Sequence, residues 1–177
     1  MTSSPFDGVT ISELLRELGA EMHEAGLHAE LFVVGGAAMA LAYNTRRATR
    51  DVDAVFEPKA HVYEAADRVG ARHDLPAGWL NDAVKGLLPG PDGDARPVLS
   101  APGIEVSVPS PHYLLALKVR AARVDRDADD IEQLAALCGA SSANEVLDIA
   151  ERVWGGRQWL LPKAQYLLEE LFPPAAD

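Results

Sequence analysis

The sequence predicts an α/β (α+β) fold: a small mixed β-sheet with flanking helices, followed by a helical C-terminal part. Three stretches carry that expectation. Residues 31–56, LFVVGGAAMALAYNTRRATRDVDAVF, run from an apolar strand through Gly35-Gly36 into an Ala-rich helix, a basic turn and a second strand. In residues 104–108, Ile104, Val106 and Val108 alternate with Glu105 and Ser107, the period of a strand with one apolar face. From Pro111 onward, apolar residues recur at helical spacing between capping signals. The 177 residues are expected to form one domain, a core over about 28–110 and a helical subdomain over about 111–177.

Taken in order, residues 1–9 read as a loose leader. Thr10 followed by Glu13 is a capping-box pattern, and Ile11, Leu14, Leu15, Leu18 and Met22 repeat at helical spacing, which predicts a helix over 11–25. A strand over 30–34 follows, apolar without interruption from Leu31, as befits a strand buried on both faces. Gly35-Gly36 leads into a helix over 37–43, a turn over 44–50 and a strand over 51–56. Pro58 suits the first turn of a helix that runs to about residue 69. Segment 73–93 mixes turn signals with a short helix over 79–87. Residues 96–100 and 103–108 read as a hairpin around Pro102-Gly103. Helices are then predicted over 113–124, over 127–137 with Asp127 as N-cap, over 142–154 with a Ser142/Glu145 capping box, and over 163–172.

Composition narrows the function classes. Hydrophobic residues make up 48% and charged residues 24%, an ordinary balance for a globular protein. No apolar run approaches the roughly 20 residues of a membrane span, and MTSSPFDGV lacks the basic and apolar regions of a secretory signal. Cys138 is the only cysteine, so no internal disulfide forms, which fits a reducing cytoplasm. A net charge of −11, with a pI near 4.8, argues against a protein that coats nucleic acid. Positive charge is nevertheless concentrated at Arg46, Arg47 and Arg50, and again at Lys118, Arg120, Arg123 and Arg126, enough for one phosphate-binding cleft. The five histidines show no zinc-ligand spacing, and G-x-G-x-x-G and a nucleophile elbow are both missing. Trp79 and Trp154 are expected in the core or on partner surfaces rather than as base-stacking platforms.

The chemistry centres on Asp51 and Asp53. Side chains at i and i+2 of a strand share a face, so the pair can hold one cation. A glycine pair at a helix start leaves backbone N–H groups open to an anion. An anion cradle beside an acid pair suits a metal-bound nucleoside triphosphate, because Mg²⁺ takes oxygen ligands from one or two carboxylates plus substrate phosphates.

V-V-G-G, fourteen residues, then D-V-D between apolar residues resembles the polymerase-β-type nucleotidyltransferase superfamily. The R-x-T-x-D-V-D run (Arg47, Thr49, Asp51, Asp53), the later K-V-R-A-A-R-V-D-R-D-A-D-D-I and the segment WLNDAVKGLLPG are similar to its small stand-alone bacterial branch near the AbiEii and MenT toxins. The resemblance covers about residues 30–138. It implies that Gly35 and Gly36 approach the triphosphate, with Arg47 and Thr49 on the nucleotide, and that Asp51 and Asp53 bind Mg²⁺ or Mn²⁺. It further implies that Lys118 contacts phosphate with Asp129 or Asp130 as the acid that follows it, that Glu105 is the third carboxylate, and that Asn81-Asp82 lie within reach. The implied activity is of the EC 2.7.7 type: transfer of a nucleoside monophosphate from an NTP to an acceptor hydroxyl. The implied acceptor is tRNA or another RNA, and the implied partner a cognate antitoxin protein, with no membrane involved. Two departures stand out: toxins of the branch often carry lysine where this chain has Val34, and many superfamily members carry serine where it has Gly36. Two alternatives follow. One is a catalytically degenerate binding module, and the other a small-molecule nucleotidyltransferase of the antibiotic-modifying kind with an acidic acceptor pocket.

Overall fold

The computed structural model describes residues 5–44 and 47–174. The chain divides into two compact units: Met1–Leu87 with Ala95–Pro109, and Leu88–Asp94 with Ser110–Asp177. The first unit holds α1 (Gly8–Glu24), β1 (Ala29–Val33), α2 (Gly35–Ala38), β2 (Val52–Glu57), α3 (Lys59–Arg72), β3 (Leu80–Asn81), β4 (Arg96–Ala101) and β5 (Ile104–Val108). Its mixed sheet has the order β3-β2-β1-β5-β4. β1 runs antiparallel to β2 and parallel to β5, β3 runs parallel to β2, and β4 closes the expected hairpin with β5.

One sheet face is core. Leu31, Val33, Val52, Ala54, Phe56, Ile104, Val106 and Val108 are buried there with Ile11, Leu15 and Leu18 of α1 and Val62, Ala65 and Val69 of α3. Burying each large aliphatic side chain contributes roughly 1.5–3 kcal/mol, so α1 and α3 are held by this stripe more than by helix propensity. The other face carries Glu30, Phe32, Val55, Glu57, Glu105 and Ser107, which are half-buried or exposed. β1 is therefore not buried on both faces, as its apolar run suggested: Glu30 and Phe32 alternate outward. α1 passes very close to the hairpin. A Cβ on Gly103, at φ +77°, would fall 2.1 Å from the Gly19 carbonyl oxygen, a contact only glycine permits.

Several element ends moved from their predicted places. Asp7, not Thr10, caps α1, its carboxylate accepting from the Thr10 N–H at 2.8 Å. The leader is tied down from Phe6, which is buried and exchanges backbone hydrogen bonds with Thr49. Residues 79–87 do not form a helix. Trp79 is buried with its indole N–H donating to the Ala66 carbonyl at 2.9 Å, and its own carbonyl accepts from Val52 at 2.6 Å, which docks β3 beside β2.

Asp82, just past β3, accepts from the Tyr63 hydroxyl at 2.6 Å and pairs with Lys59. Lys59 first, then Tyr63, hold its carboxyl below the usual carboxylate range. A depressed folded-state value means stabilisation that is present above the unfolded value of 3.8 and is lost as pH falls through the lower folded one. Asp82→Asn is expected to flatten the loss of stability below about pH 4, read as urea midpoints across a pH series.

The second unit is helical: α4 (Pro111–Ala121), α5 (Val124–Leu137), α6 (Ala143–Trp154), a 3₁₀ turn (Arg157–Trp159) and α7 (Pro162–Leu171). Ser142 and Glu145 form the predicted capping box. Leu114, Leu115, Val119, Ile131, Leu134, Val146, Ile149 and Leu168 make its core. The break between α4 and α5 falls at Ala122, which takes the left-handed conformation at φ 44°, rather than between the predicted helices over 113–124 and 127–137. Trp154 donates its indole N–H to the Ala116 carbonyl at 3.0 Å and carries the Arg120 guanidinium 4.2 Å from its ring centre.

Candidate active site

β1 ends where β2 and β3 begin, and the turn out of β1 supplies the first part of the site. Gly35 adopts φ +63°, which bends the chain from β1 into α2, and a Cβ built on it would lie 3.7 Å from Asp53 Oδ2. On Gly36 a Cβ would lie 3.1 Å from Thr49 Oγ1. The two glycines therefore bring backbone directly against the Asp53 carboxylate and the Thr49 hydroxyl. The first N–H groups of a helix lack intrahelical acceptors, which makes this corner a donor surface. α2 continues as a π-helical turn over Met39–Tyr43, and the Tyr43 hydroxyl donates to the Pro109 carbonyl at the end of β5.

The acids lie at the start of β2. Asp51 is exposed and directly precedes the strand, Val52 is fully buried, and Asp53 is half-buried, so the alternation sets both acids opposite the core. The Val34 N–H donates to the Asp53 carbonyl at 2.9 Å and clamps the glycine turn to β2. Thr49 donates its hydroxyl to Asp51 Oδ1 at 3.3 Å and to the Asp51 carbonyl at 3.2 Å. Gly35, Gly36, Thr49, Asp51 and Asp53 thus form one cluster. Arg47 lies in the same turn, half-buried, its N–H donating to the Asn44 carbonyl at 2.9 Å, and Arg50 is exposed. Arg46 lies outside the described residues. Val34 is buried, so this position belongs to the apolar core rather than to a phosphate-binding side chain.

Other predicted site residues lie elsewhere. Glu105 is on the open face, but β5 neighbours β1, and Glu105 is level with Glu30, which pairs with Glu57. Asp53 is four residues from Glu57 along β2, about 13 Å at strand rise. Alternation told the face of Glu105 and could not tell its register; the structure does not bring it to Asp53. Its carboxylate accepts from the Ser100 hydroxyl at 2.9 Å. Lys118 belongs to the second unit, buried, with Nζ 2.7 Å from both Asp127 Oδ1 and Asp130 Oδ2. Asp130 is buried with it, and Asp129 is exposed on α5. Asn81 is the ladder partner of Asp53. The sequence offers little signal for that pairing, because β3 is two residues long and its partner is remote in the chain.

A depression of about 620 Å³ opens on the exposed sheet face, with Phe32 and Val55 in its floor and Glu30, Glu57 and Glu105 around them. Lys85 beside Glu57 holds that carboxyl below the usual range. Among the described residues, no group of three or more His, Cys, Asp or Glu side chains converges to hold a metal ion. Asp51 and Asp53 alone fit Mg²⁺ only as a shared site, in which substrate phosphates complete the oxygen sphere.

Residues 11–152 match a family described as a nucleotidyltransferase of unknown function (DUF6036). The chain belongs to this family. No curated protein and no solved structure matches it. The matched region takes in the glycine turn, Asp51 and Asp53, all five strands and α4 through most of α6. Membership implies a nucleotide substrate. No described helix of the chain is long and apolar enough to cross a membrane.

Proposed function

We propose that this nucleotidyltransferase moves a nucleoside monophosphate from an NTP to an acceptor hydroxyl, using Mg²⁺ or Mn²⁺ held by Asp51 and Asp53. The observation that supports this most is the Asp53 carboxylate set against the Gly35 turn, metal ligand and anion cradle in one place. The acceptor oxygen attacks the α-phosphorus, its proton passes to solvent, the bond to the bridging oxygen of the β-phosphate breaks, and pyrophosphate leaves. The ion, when bound, offsets triphosphate charge and favours the attacking oxygen as alkoxide. Gly35 and Gly36 offer backbone N–H groups to phosphate oxygens, and Thr49 orients the Asp51 carboxylate. Such chemistry rests on positioning and charge, with no covalent role for the protein.

The likeness of its motifs to AbiEii and MenT toxins supports tRNA or another RNA as acceptor, and a cognate antitoxin as partner. The glutamate-ringed depression supports a second acceptor class, a small polycationic molecule seated on the same sheet face as Asp53. One assay separates these readings. Purified protein is incubated with each labelled NTP and Mg²⁺, with either total tRNA or an aminoglycoside, beside the Asp51→Ala/Asp53→Ala variant. Label is expected to pass from one NTP to one acceptor class and to vanish in the variant. Label that goes nowhere, or equally with both proteins, overturns the catalytic reading.

A further inference from the structure

We propose that Asn81 is a nucleotide-binding residue, donating its side-chain NH₂ to the triphosphate beside the metal that Asp53 would hold. The inference rests on the nucleotidyltransferase reading above. β3 consists of Leu80 and Asn81 alone, and they pair in parallel with Val52 and Asp53. Directly paired residues share a sheet face on strands about 4.8 Å apart. Leu80 and Val52 both enter the core, whereas Asn81 and Asp53 are both half-buried on the opposite face. Asn81 is therefore the side chain that flanks Asp53 on its far side from β1.

A two-residue strand could be a loose neighbour, but this one is anchored at its start. Trp79, immediately before it, is 3% exposed and hydrogen-bonded through its indole to α3, and a Cβ on Gly70 would lie 3.1 Å from the Trp79 ring. The Trp79 carbonyl takes the Val52 N–H, which fixes the register that sets Asn81 beside Asp53.

The amide itself is oriented. Asn81 Oδ1 accepts from the Ala83 N–H at 3.1 Å, and a backbone donor requires the oxygen at that end. The opposite end is the NH₂ group, two donors with no acceptor among the described residues. Two donors beside a carboxylate pair suit the phosphate oxygens that a bound metal brings in. They do not suit the metal.

Two substitutions test this with different readouts. Asn81→Asp keeps the acceptor for Ala83, so the turn after β3 survives, but sets a third carboxylate beside Asp53. Mn²⁺ alone, titrated by electron paramagnetic resonance, is expected to bind about tenfold more tightly to Asn81→Asp than to wild type. Asn81→Ala removes the donors; a non-hydrolysable nucleoside triphosphate at saturating Mn²⁺ is expected to bind about tenfold more weakly, with Mn²⁺ affinity unchanged. The gain of metal affinity tests that position 81 lies beside the Asp53 carboxylate, and the loss of nucleotide affinity at saturating Mn²⁺ tests the donor role. Unchanged Mn²⁺ affinity in Asn81→Asp, or wild-type nucleotide affinity in Asn81→Ala, overturns the proposal while the site reading stands. Wild-type protein that binds neither Mn²⁺ nor nucleotide removes both.

Discussion

Replacing Lys118 with methionine is expected to cost about 3–5 kcal/mol of stability, the range for breaking a buried ion pair from one side. For a chain of this size that lowers the melting temperature by roughly 10 °C. The geometry is demanding. Lys118 is 6% exposed, its two partner acids Asp127 and Asp130 are 4% and 1% exposed, and both contacts are 2.7 Å. Methionine matches the stem but leaves two carboxylates in an apolar interior without their cation. A lysine on the solvated face of a helix, by contrast, would change stability by no more than about 0.5 kcal/mol. The triple variant Lys118→Met/Asp127→Asn/Asp130→Asn removes all three charges together and is expected to recover most of the loss. Thermal melting of the three proteins checks both statements. The same set addresses the phosphate role that resemblance implies for Lys118. If the triple variant folds and binds nucleotide like wild type, the lysine acts by holding α4 to α5. If it folds and binds weakly, the Lys118–Asp127–Asp130 cluster has a role in nucleotide binding besides its role in stability.

The sequence was most readable where structure is set by near neighbours. The α6 capping box and the β4–β5 hairpin both follow from spacing over a few residues, and they fell where spacing put them. So did the glycine turn and the acid pair, because both lie within one β-helix-β stretch. What failed was set by partners far along the chain. Leu80-Asn81 is a strand only because Val52 and Asp53 offer it an edge, and the local pattern of 79–87 contains nothing of that edge. Glu105 illustrates the limit well: period-two alternation assigns a side, while the distance to Asp53 depends on how β5 registers with β1. Caps near competing donors were also ambiguous. Asp7 and Thr10 are both good N-caps, and the choice followed from Phe6 pairing with Thr49, a contact across 43 residues. Asp127 reads as a cap and instead turns inward, because Lys118 in the preceding helix needs a buried counter-charge.

On the proposed reading, Asp53→Asn is expected to lower nucleotide transfer about 10³-fold or more, since it would remove a metal ligand worth several kcal/mol in the transition state and each 1.36 kcal/mol is tenfold. Stability should change by less than about 1 kcal/mol. The substitution preserves shape and leaves the main-chain contacts of the residue in place: the Val34 N–H on its carbonyl and the ladder to β3. What changes is charge at one point, 3.7 Å from where a Gly35 side chain would begin. If Asp53 were only a half-buried acid closing a turn, Asn would serve it nearly as well, and transfer would persist with melting unaltered. A wild-type melting curve joined to absent transfer and lost Mn²⁺ binding has a different cause: the turn still folds, and the ion that should sit against it no longer does. The combination therefore tests the role of the corner between β1 and β2 apart from its architecture, which stability measurements alone would not do.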